Sequence, residues 1–311
     1  MSRFVGRRVV AAVAVLFGAL TLSFVVLNVM PGDPTVAYSG GQALTPEQQA
    51  AVRTKLGVDQ PLIERYATFL EHTVTGRLGT STRTDEPVVD RIGAQLPATV
   101  ELALAATTLA VVLGVSGGIA SAFTRRPWLD RLMSTAWLTG LSMPTFWLGL
   151  LLITVVAFGL HLVPATGAGT PQQLILPALT LALAPAAMIA QLVRDGLNRA
   201  EREPYTVTAR AKGLSRYQVL TRHSLRNALL PVLTIAGLVL GTTLTTAVVV
   251  ENVFARPGLG RLLLGAIQDH DLPVVQGIVL LIAVAYIVIN LLVELLYAWV
   301  DPRVRDGMVH R

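Results

Sequence analysis

No cysteine occurs anywhere in these 311 residues. That excludes a disulfide framework, thiol chemistry and any cysteine-ligated metal. The chain also lacks a Gly-Lys pair, so the phosphate-cradling loop G-x-x-x-x-G-K-[ST] cannot be present. H-E-x-x-H does not occur, and the Ser, His and Asp residues form no set that spacing would single out. The five histidines, His72, His161, His223, His270 and His310, share no ligand spacing and give no case for a metal site. Charge is scarce too. Charged residues make up 14% of the chain and hydrophobic ones 53%, with a mean hydropathy of +0.60. Soluble domains carry about a quarter charged residues, so the composition is that of a membrane protein.

What the chain does have is long apolar runs. A hydrocarbon layer of about 30 Å takes about 20 apolar residues at 1.5 Å rise each. Six runs reach that length: Val9–Met30, Ala98–Phe123, Leu132–Leu160, Leu174–Val193, Ala228–Val250 and Val274–Val300. The expectation is an all-α polytopic membrane protein with six transmembrane helices. The net charge of +6 could suggest a nucleic-acid partner, but its distribution is a topology signal. With the N-terminus inside, seventeen Lys and Arg residues fall on the inner side and eight outside. Six of the outer ones lie in Pro31–Pro97, which is long enough to be exempt from the positive-inside rule. Both termini are therefore expected in the cytosol, with the lipid bilayer and not nucleic acid as the surroundings. Arg3, Arg7 and Arg8 before an apolar run resemble a signal peptide. The run is as long as a full span, however, and leads into Pro31-Gly32-Asp33-Pro34 without a small-x-small cleavage site, so a retained first helix is expected.

This divides the chain into an N-terminal transmembrane helix (1–30), an extracytoplasmic region (31–97) and a core transmembrane domain (98–311) that contains a cytosolic loop at 194–227. In the outer region, Thr45-Pro46-Glu47 reads as an N-cap, a proline at the first helical position and an acidic first turn, with a stop at Leu56-Gly57. A second helix is expected over Leu62–Thr75, where Leu62, Tyr66, Phe69, Leu70 and Val74 share a face, followed by a Gly, Ser and Thr-rich loop at Gly76–Glu86. Gly114, Gly118 and Ala122 recur at four-residue spacing, which permits close helix approach, most simply within the one subunit. Pro144, Pro177 and Pro185 are expected to break or kink their helices. Thr242, Thr243, Thr245 and Thr246 place four hydroxyls in mid-membrane. They either bond their own helix backbone or line a polar path. Asn290 and Glu294 lie one turn apart near the inner end of the last span, where interfacial pairing is the simpler role.

The stretch Tyr205–Pro231, YTVTARAKGLSRYQVLTRHSLRNALLP, is a basic insert between two spans with unexpected helical order. Tyr205–Lys212 reads as a short helix stopped by Gly213, and Ser215 as the N-cap of the next one. A short helix tied to a span on each side could pass a partner's motion into the bilayer. With no phosphate cradle of its own and almost no midplane charge, the chain would take its energy from such a partner.

Ala209–Leu214 (A-R-A-K-G-L) followed by Arg222–Pro231 (R-H-S-L-R-N-A-L-L-P) resembles the cytosolic EAA loop of ATP-binding cassette (ABC) importer permeases, in the B-type permeases of the dipeptide/oligopeptide/nickel branch. The resemblance covers nearly the whole chain. It includes Pro31-Gly-Asp-Pro34, Gly79-Thr-Ser81 with Pro87-Val88, Leu96-Pro97-Ala-Thr-Val-Glu101 and Pro144-Thr-Phe-Trp-Leu-Gly149. It continues through Glu251-Asn-Val-Phe254, Arg256-Pro-Gly-Leu-Gly260, Pro273-Val-Val-Gln276-Gly277 and Asp301-Pro-Arg303. The general motif opens on Glu, and the matching position here is Val207. Its Leu-Pro also comes later than in the general pattern, two departures that the peptide branch shares.

The resemblance implies the type I ABC importer permease fold and a bacterial plasma-membrane, multi-pass subunit without a nucleotide site. It implies a heterodimer with a second, similar permease subunit, two cytosolic ATPases that bind ATP and Mg, and an extracytoplasmic solute-binding protein. No cofactor is expected on this chain. Coupling to an ATPase would rest on Tyr205, Thr208, Ala209, Arg210, Ala211, Lys212, Gly213 and Leu214, with Thr242, Thr243, Thr245 and Thr246 as possible path lining. The implied cargo is di- and oligopeptides. Nickel chelates, haem or glutathione on the same machinery are alternatives, and a non-transporting membrane scaffold for a cytosolic partner is the rival of a different class.

Overall fold

The computed structural model describes residues 2–29, 45–48, 50, 53, 60–124 and 126–300. Among them the chain is helical, and the pairing outside helices is one antiparallel bridge between Thr80 and Pro87. In chain order the helices are α1 (Ser2–Val29), α2 (Leu62–Val74), α3 (Val88–Phe123) and α4 (Pro127–Ser142). Next come α5 (Thr145–Leu152), which continues as π-helix over Ile153–Gly159, α6 (Pro171–Ala200) and α7 (Pro204–Ala211). Then follow α8 (Arg216–Val219), a π-helical turn at Leu220–Ser224, α9 (Leu225–Val253), α10 (Leu259–Gln268) and α11 (Leu272–Val300).

Helices occupy all six apolar runs, but not all as simple spans. By length and apolarity α3, α6, α9 and α11 can each cross a bilayer. In α1 the apolar stretch is Val10–Val25. Over Leu132–Leu160 the helix breaks at Pro144 as expected, into α4 and α5, bent by 109°. Proline lacks an amide proton and pushes the residue before it into extended backbone, and Met143 duly sits at φ −79°, ψ 130°. Pro144 then precedes the first turn of α5. Pro177 and Pro185 behave otherwise: both lie inside the 30-residue α6, which runs on without a break. Pro177 falls in the second turn, where little of the helix ladder precedes it, and the flanks of both prolines are buried against neighbouring helices.

Two compact units can be distinguished. One comprises Val100–Arg256 and Tyr286–Arg311. In it α3 lies directly on α6, because glycines remove the side chains that would hold the backbones apart. A Cβ on Gly114 would come within 2.6 Å of the Ile189 Cβ, and one on Gly118 within 2.6 Å of the Ala190 carbonyl oxygen. The small-residue spacing therefore serves packing within the subunit. A cluster of Leu102, Ala106, Ile153, Leu176, Leu181, Ala247 and Phe254 forms the apolar centre. Arg256 is buried at the end of α9 and donates from Nη2 to Glu101 Oε2 at 2.5 Å.

The other unit comprises Ser2–Thr99 and Pro257–Ala285. Its core joins Val88 and Ile92 of α3 to Leu259, Ala266, Val274, Val275 and Ile278. α10, too short to register among the apolar runs, supplies Leu259 and Ala266 from one face. The Gly76–Glu86 loop is held by a carboxylate. Asp271, buried to 1% exposure, accepts from Ser81 Oγ at 2.5 Å, Thr82 N at 3.0 Å and Arg91 Nη1 at 3.1 Å. A buried charge is tolerated only with such pairing. Phe24 of α1 packs on Tyr66 and Phe69 of α2, two of the residues assigned to the helix's shared face. Thr45 caps as expected, its hydroxyl accepting from the Gln48 amide at 3.3 Å, and Gln48 Oε1 accepts in return from the Thr45 amide at 3.0 Å. The expectations that fall on Pro31–Pro34, Leu56-Gly57, Asp301–Arg303 and the side chains of Arg3, Arg7, Arg8 and Glu294 lie outside the described residues.

Candidate functional site

Between α6 and α9 the chain turns through an elbow built almost entirely from local rules. α6 ends at Ala200, and Glu203 in extended backbone precedes Pro204, whose fixed φ suits the first helical position of α7. α7 lasts two turns. It ends because Gly213 takes φ +87°, in the left-handed region. The Gly213 amide bonds the Arg210 carbonyl at 2.9 Å, and the Leu214 amide bonds the Ala209 carbonyl at 3.3 Å. This is the Schellman pattern, which satisfies two of the carbonyls a helix end leaves open. Ser215 caps α8 with Gln218, its hydroxyl accepting from the Gln218 amide at 3.3 Å.

One side of α7 is anchored. Thr206 is buried and its hydroxyl donates to the Ala200 carbonyl at 2.6 Å. The other side is open: Tyr205, Val207, Thr208, Arg210, Ala211 and Lys212 are exposed, as is Gly213. Ala209 and Leu214 are half-buried, the pair that a Schellman turn brings together. Of the residues assigned to this site from the sequence, six thus form a free surface and two support its turn. Charge on the open face is basic, from Arg210 and Lys212. Part of Arg210's charge is engaged, with its Nη2 3.5 Å from Glu201 Oε1.

Sequence reasoning missed three residues here. Thr206 was passed over inside the motif, although it lies about 100° around the helix from Val207. Glu201 and Arg216 flank the motif and meet: Arg216 Nε donates to Glu201 Oε1, and its Nη2 donates to the Ala122 carbonyl at 3.0 Å. No local signal pairs residues fifteen apart across a turn.

The four threonines of α9 divide. Thr243 is buried and donates to the Val239 carbonyl at 2.6 Å. Thr242 donates to the Leu238 and Val239 carbonyls, each at 3.1 Å, and Thr246 to the Thr242 carbonyl at 3.0 Å. Backbone bonding within the helix therefore accounts for three of the hydroxyls. Thr242, Thr245 and Thr246 are exposed on this chain and keep acceptor lone pairs available, while Thr243 presents nothing to a surface.

Helices of this length, a broken pair at Pro144 and an ordered elbow between two long helices define a polytopic membrane protein. The fold is that of type I ABC importer permeases. The inward-facing MetNI methionine ABC transporter superposes with a TM-score of 0.57 at 19% identity, covering 70% of this chain and 99% of that one. The chain belongs to the family described as binding-protein-dependent transport system inner membrane component, matched over residues 101–306, with that family's N-terminal region matched over residues 1–103. Among its relatives is the glutathione transport system permease protein GsiC of Escherichia coli O6:H1, 39% identical over 305 residues, which span 98% of this chain and 99% of the relative. The dipeptide transport system permease protein DppB of Alkalihalophilus pseudofirmus is 34% identical over 333 aligned positions, covering 98% of this chain and all of the relative. The chain is thus a multi-pass inner-membrane permease subunit.

Proposed function

We propose that this chain forms half of the transmembrane path of an ATP-driven importer for di- and oligopeptides delivered by an extracytoplasmic solute-binding protein. The observation that carries the reading is the elbow: a two-turn helix with an open basic face, locked by a Schellman turn and bonded to the ends of spanning helices. Its Tyr205–Leu214 surface is the docking site for one of two cytosolic ATPase subunits, which bind ATP and Mg. A second, similar permease subunit completes the path. Both termini face the cytosol, as the Lys and Arg distribution requires. The docking groove is complementary to what α7 offers, an apolar floor for Tyr205 and Val207 with acidic groups opposite Lys212 and Arg210. Thr242, Thr245 and Thr246 line the path, where hydroxyls on otherwise uncharged walls suit cargo with variable side chains and a constant backbone.

ATP binding closes the ATPase dimer and moves α7, and the attached spans then expose the cavity outward to receive cargo. The relative named for glutathione favours a second reading of the cargo, itself a tripeptide. Co-expression with the partner subunits and reconstitution in proteoliposomes tests both. The binding protein should stimulate ATP hydrolysis and labelled peptide should accumulate, with competition by glutathione fixing the cargo. Uptake that survives ATP depletion and collapses with an ion gradient would overturn the importer reading. A complex that binds a cytosolic partner without stimulated hydrolysis would indicate a scaffold.

A further inference from the structure

Two helix ends, those of α3 and α6, meet at one guanidinium beneath the elbow. α3 finishes at Phe123, and its last carbonyls have no partner within the helix. The Thr124 amide takes the Ala120 and Ser121 carbonyls at 3.1 and 3.2 Å. The next carbonyl, that of Ala122, is taken by Arg216 Nη2 at 3.0 Å. A cation is also favoured there by the negative end of the helix dipole. The same guanidinium donates from Nε to Glu201, the C-cap of α6, and Glu201 in turn lies 3.5 Å from Arg210 of α7. Around this clasp Tyr217 packs on Phe123 with ring centroids 5.5 Å apart, and buried Ala122, Leu197 and Leu220 share one apolar cluster.

We infer that Arg216 is the positioning residue that transfers displacement of α7, through Glu201 at the end of α6, to the inner end of α3. This rests on the reading that α7 docks an ATPase. The geometry explains why a single arginine does it. Its planar fork addresses two acceptors in fixed directions at once, one on each spanning helix. Without it, α7 keeps its own caps and its Thr206 anchor to α6, so docking survives. The bond to α3 does not. The consequence is an uncoupled complex: the ATPase is held and turns over, while the helix that should move with it lags.

The test uses the whole reconstituted transporter. Arg216→Ala should still co-purify with the ATPase subunits and keep basal hydrolysis, but lose binding-protein stimulation and uptake by about fivefold or more, the scale of a coupling free energy. The cysteine-free chain allows a rescue that a merely structural role would not give. Phe123→Cys and Tyr217→Cys, added to Arg216→Ala and joined by a short bifunctional thiol reagent, should restore stimulation. The same pair in the native background should change little. Wild-type stimulation in Arg216→Ala, or a cross-linked triple variant that stays uncoupled, would overturn the inference. Should Arg216→Ala fail to assemble, Arg216→Gln, which reaches one acceptor at a time, decides by the same ratio: native coupling there is fatal, and a loss mended by the cross-link is supporting. If the native chain binds no ATPase at all, the docking reading falls and takes this inference with it.

Discussion

A valine placed at Gly213 meets no neighbour, since nothing lies within 4 Å of where its Cβ would sit. Whatever it costs is therefore backbone. At φ +87° a side chain that branches at Cβ is strained by about 2–3 kcal/mol, alanine by about 1 kcal/mol, and asparagine by less because it enters the left-handed region readily. Against that strain stand the two hydrogen bonds of the turn, from Gly213 and Leu214, which contribute about 1 kcal/mol each. The valine penalty matches or exceeds what closes the turn, so α7 should fray at its end and present its face in many orientations. In reconstituted vesicles, uptake per ATP hydrolysed should fall in the order Gly, Asn, Ala, Val, with Val losing about two- to sixfold, since a net cost of about 0–1 kcal/mol at 1.4 kcal/mol per factor of ten leaves the turn closed about half to a sixth of the time. The ordering is what discriminates. Val with native coupling would refute the reasoning outright. Asn as poor as Val would show that side-chain volume matters and backbone conformation does not.

Other outcomes follow from packing and buried charge. Asp271→Asn removes the charge that compensates Arg91 and weakens the hold on the Ser81 loop, so the detergent-solubilised protein should lose about 3 kcal/mol, read as a lowered melting temperature. Gly118→Val would drive a Cβ to 2.6 Å from the Ala190 carbonyl and 2.8 Å from the Val193 Cβ, at a cost of about 1–3 kcal/mol from overpacking. Gly265→Ala in α10 is its counterpart, with open space around the new methyl. It should stabilise by about 1 kcal/mol through helix propensity, and a melting temperature that fell would contradict that assignment.

Much of the elbow was legible because its rules act within four residues. Glu203-Pro204 opens α7, Gly213 closes it and Ser215 opens α8, each recognisable from residue type and position alone. The helix at Leu62 and the cap at Thr45 were readable for the same reason. Long-range pairing was not. Glu101 and Arg256 are 155 positions apart, and Ser81 and Asp271 are 190 apart. Each pair appears in the sequence as two unrelated polar residues inside recognisable blocks. Proline was half legible. Its missing amide proton marks a weak point in any helix, but whether the helix parts there, as at Pro144, or runs on, as at Pro177 and Pro185, depends on what surrounds the freed carbonyl. α10 escaped notice because ten residues fall short of a span. Its Leu259, Leu262, Leu263 and Ala266 spacing was the available signal.

The π-turn at Leu220–Ser224 sets the angular address of everything beyond it. A π-turn accommodates one more residue than an α-turn, and each residue of an α-helix advances the azimuth by about 100°. Removing one residue there would leave the length, composition and apolarity of α9 nearly unchanged while rolling the whole helix about its axis. Thr243 would swing out of the interior and the Thr242 and Thr246 face would turn elsewhere. The bearing of the threonine face on α9 is thus dialled in at the elbow, beside the same arginine that ties it to its neighbours.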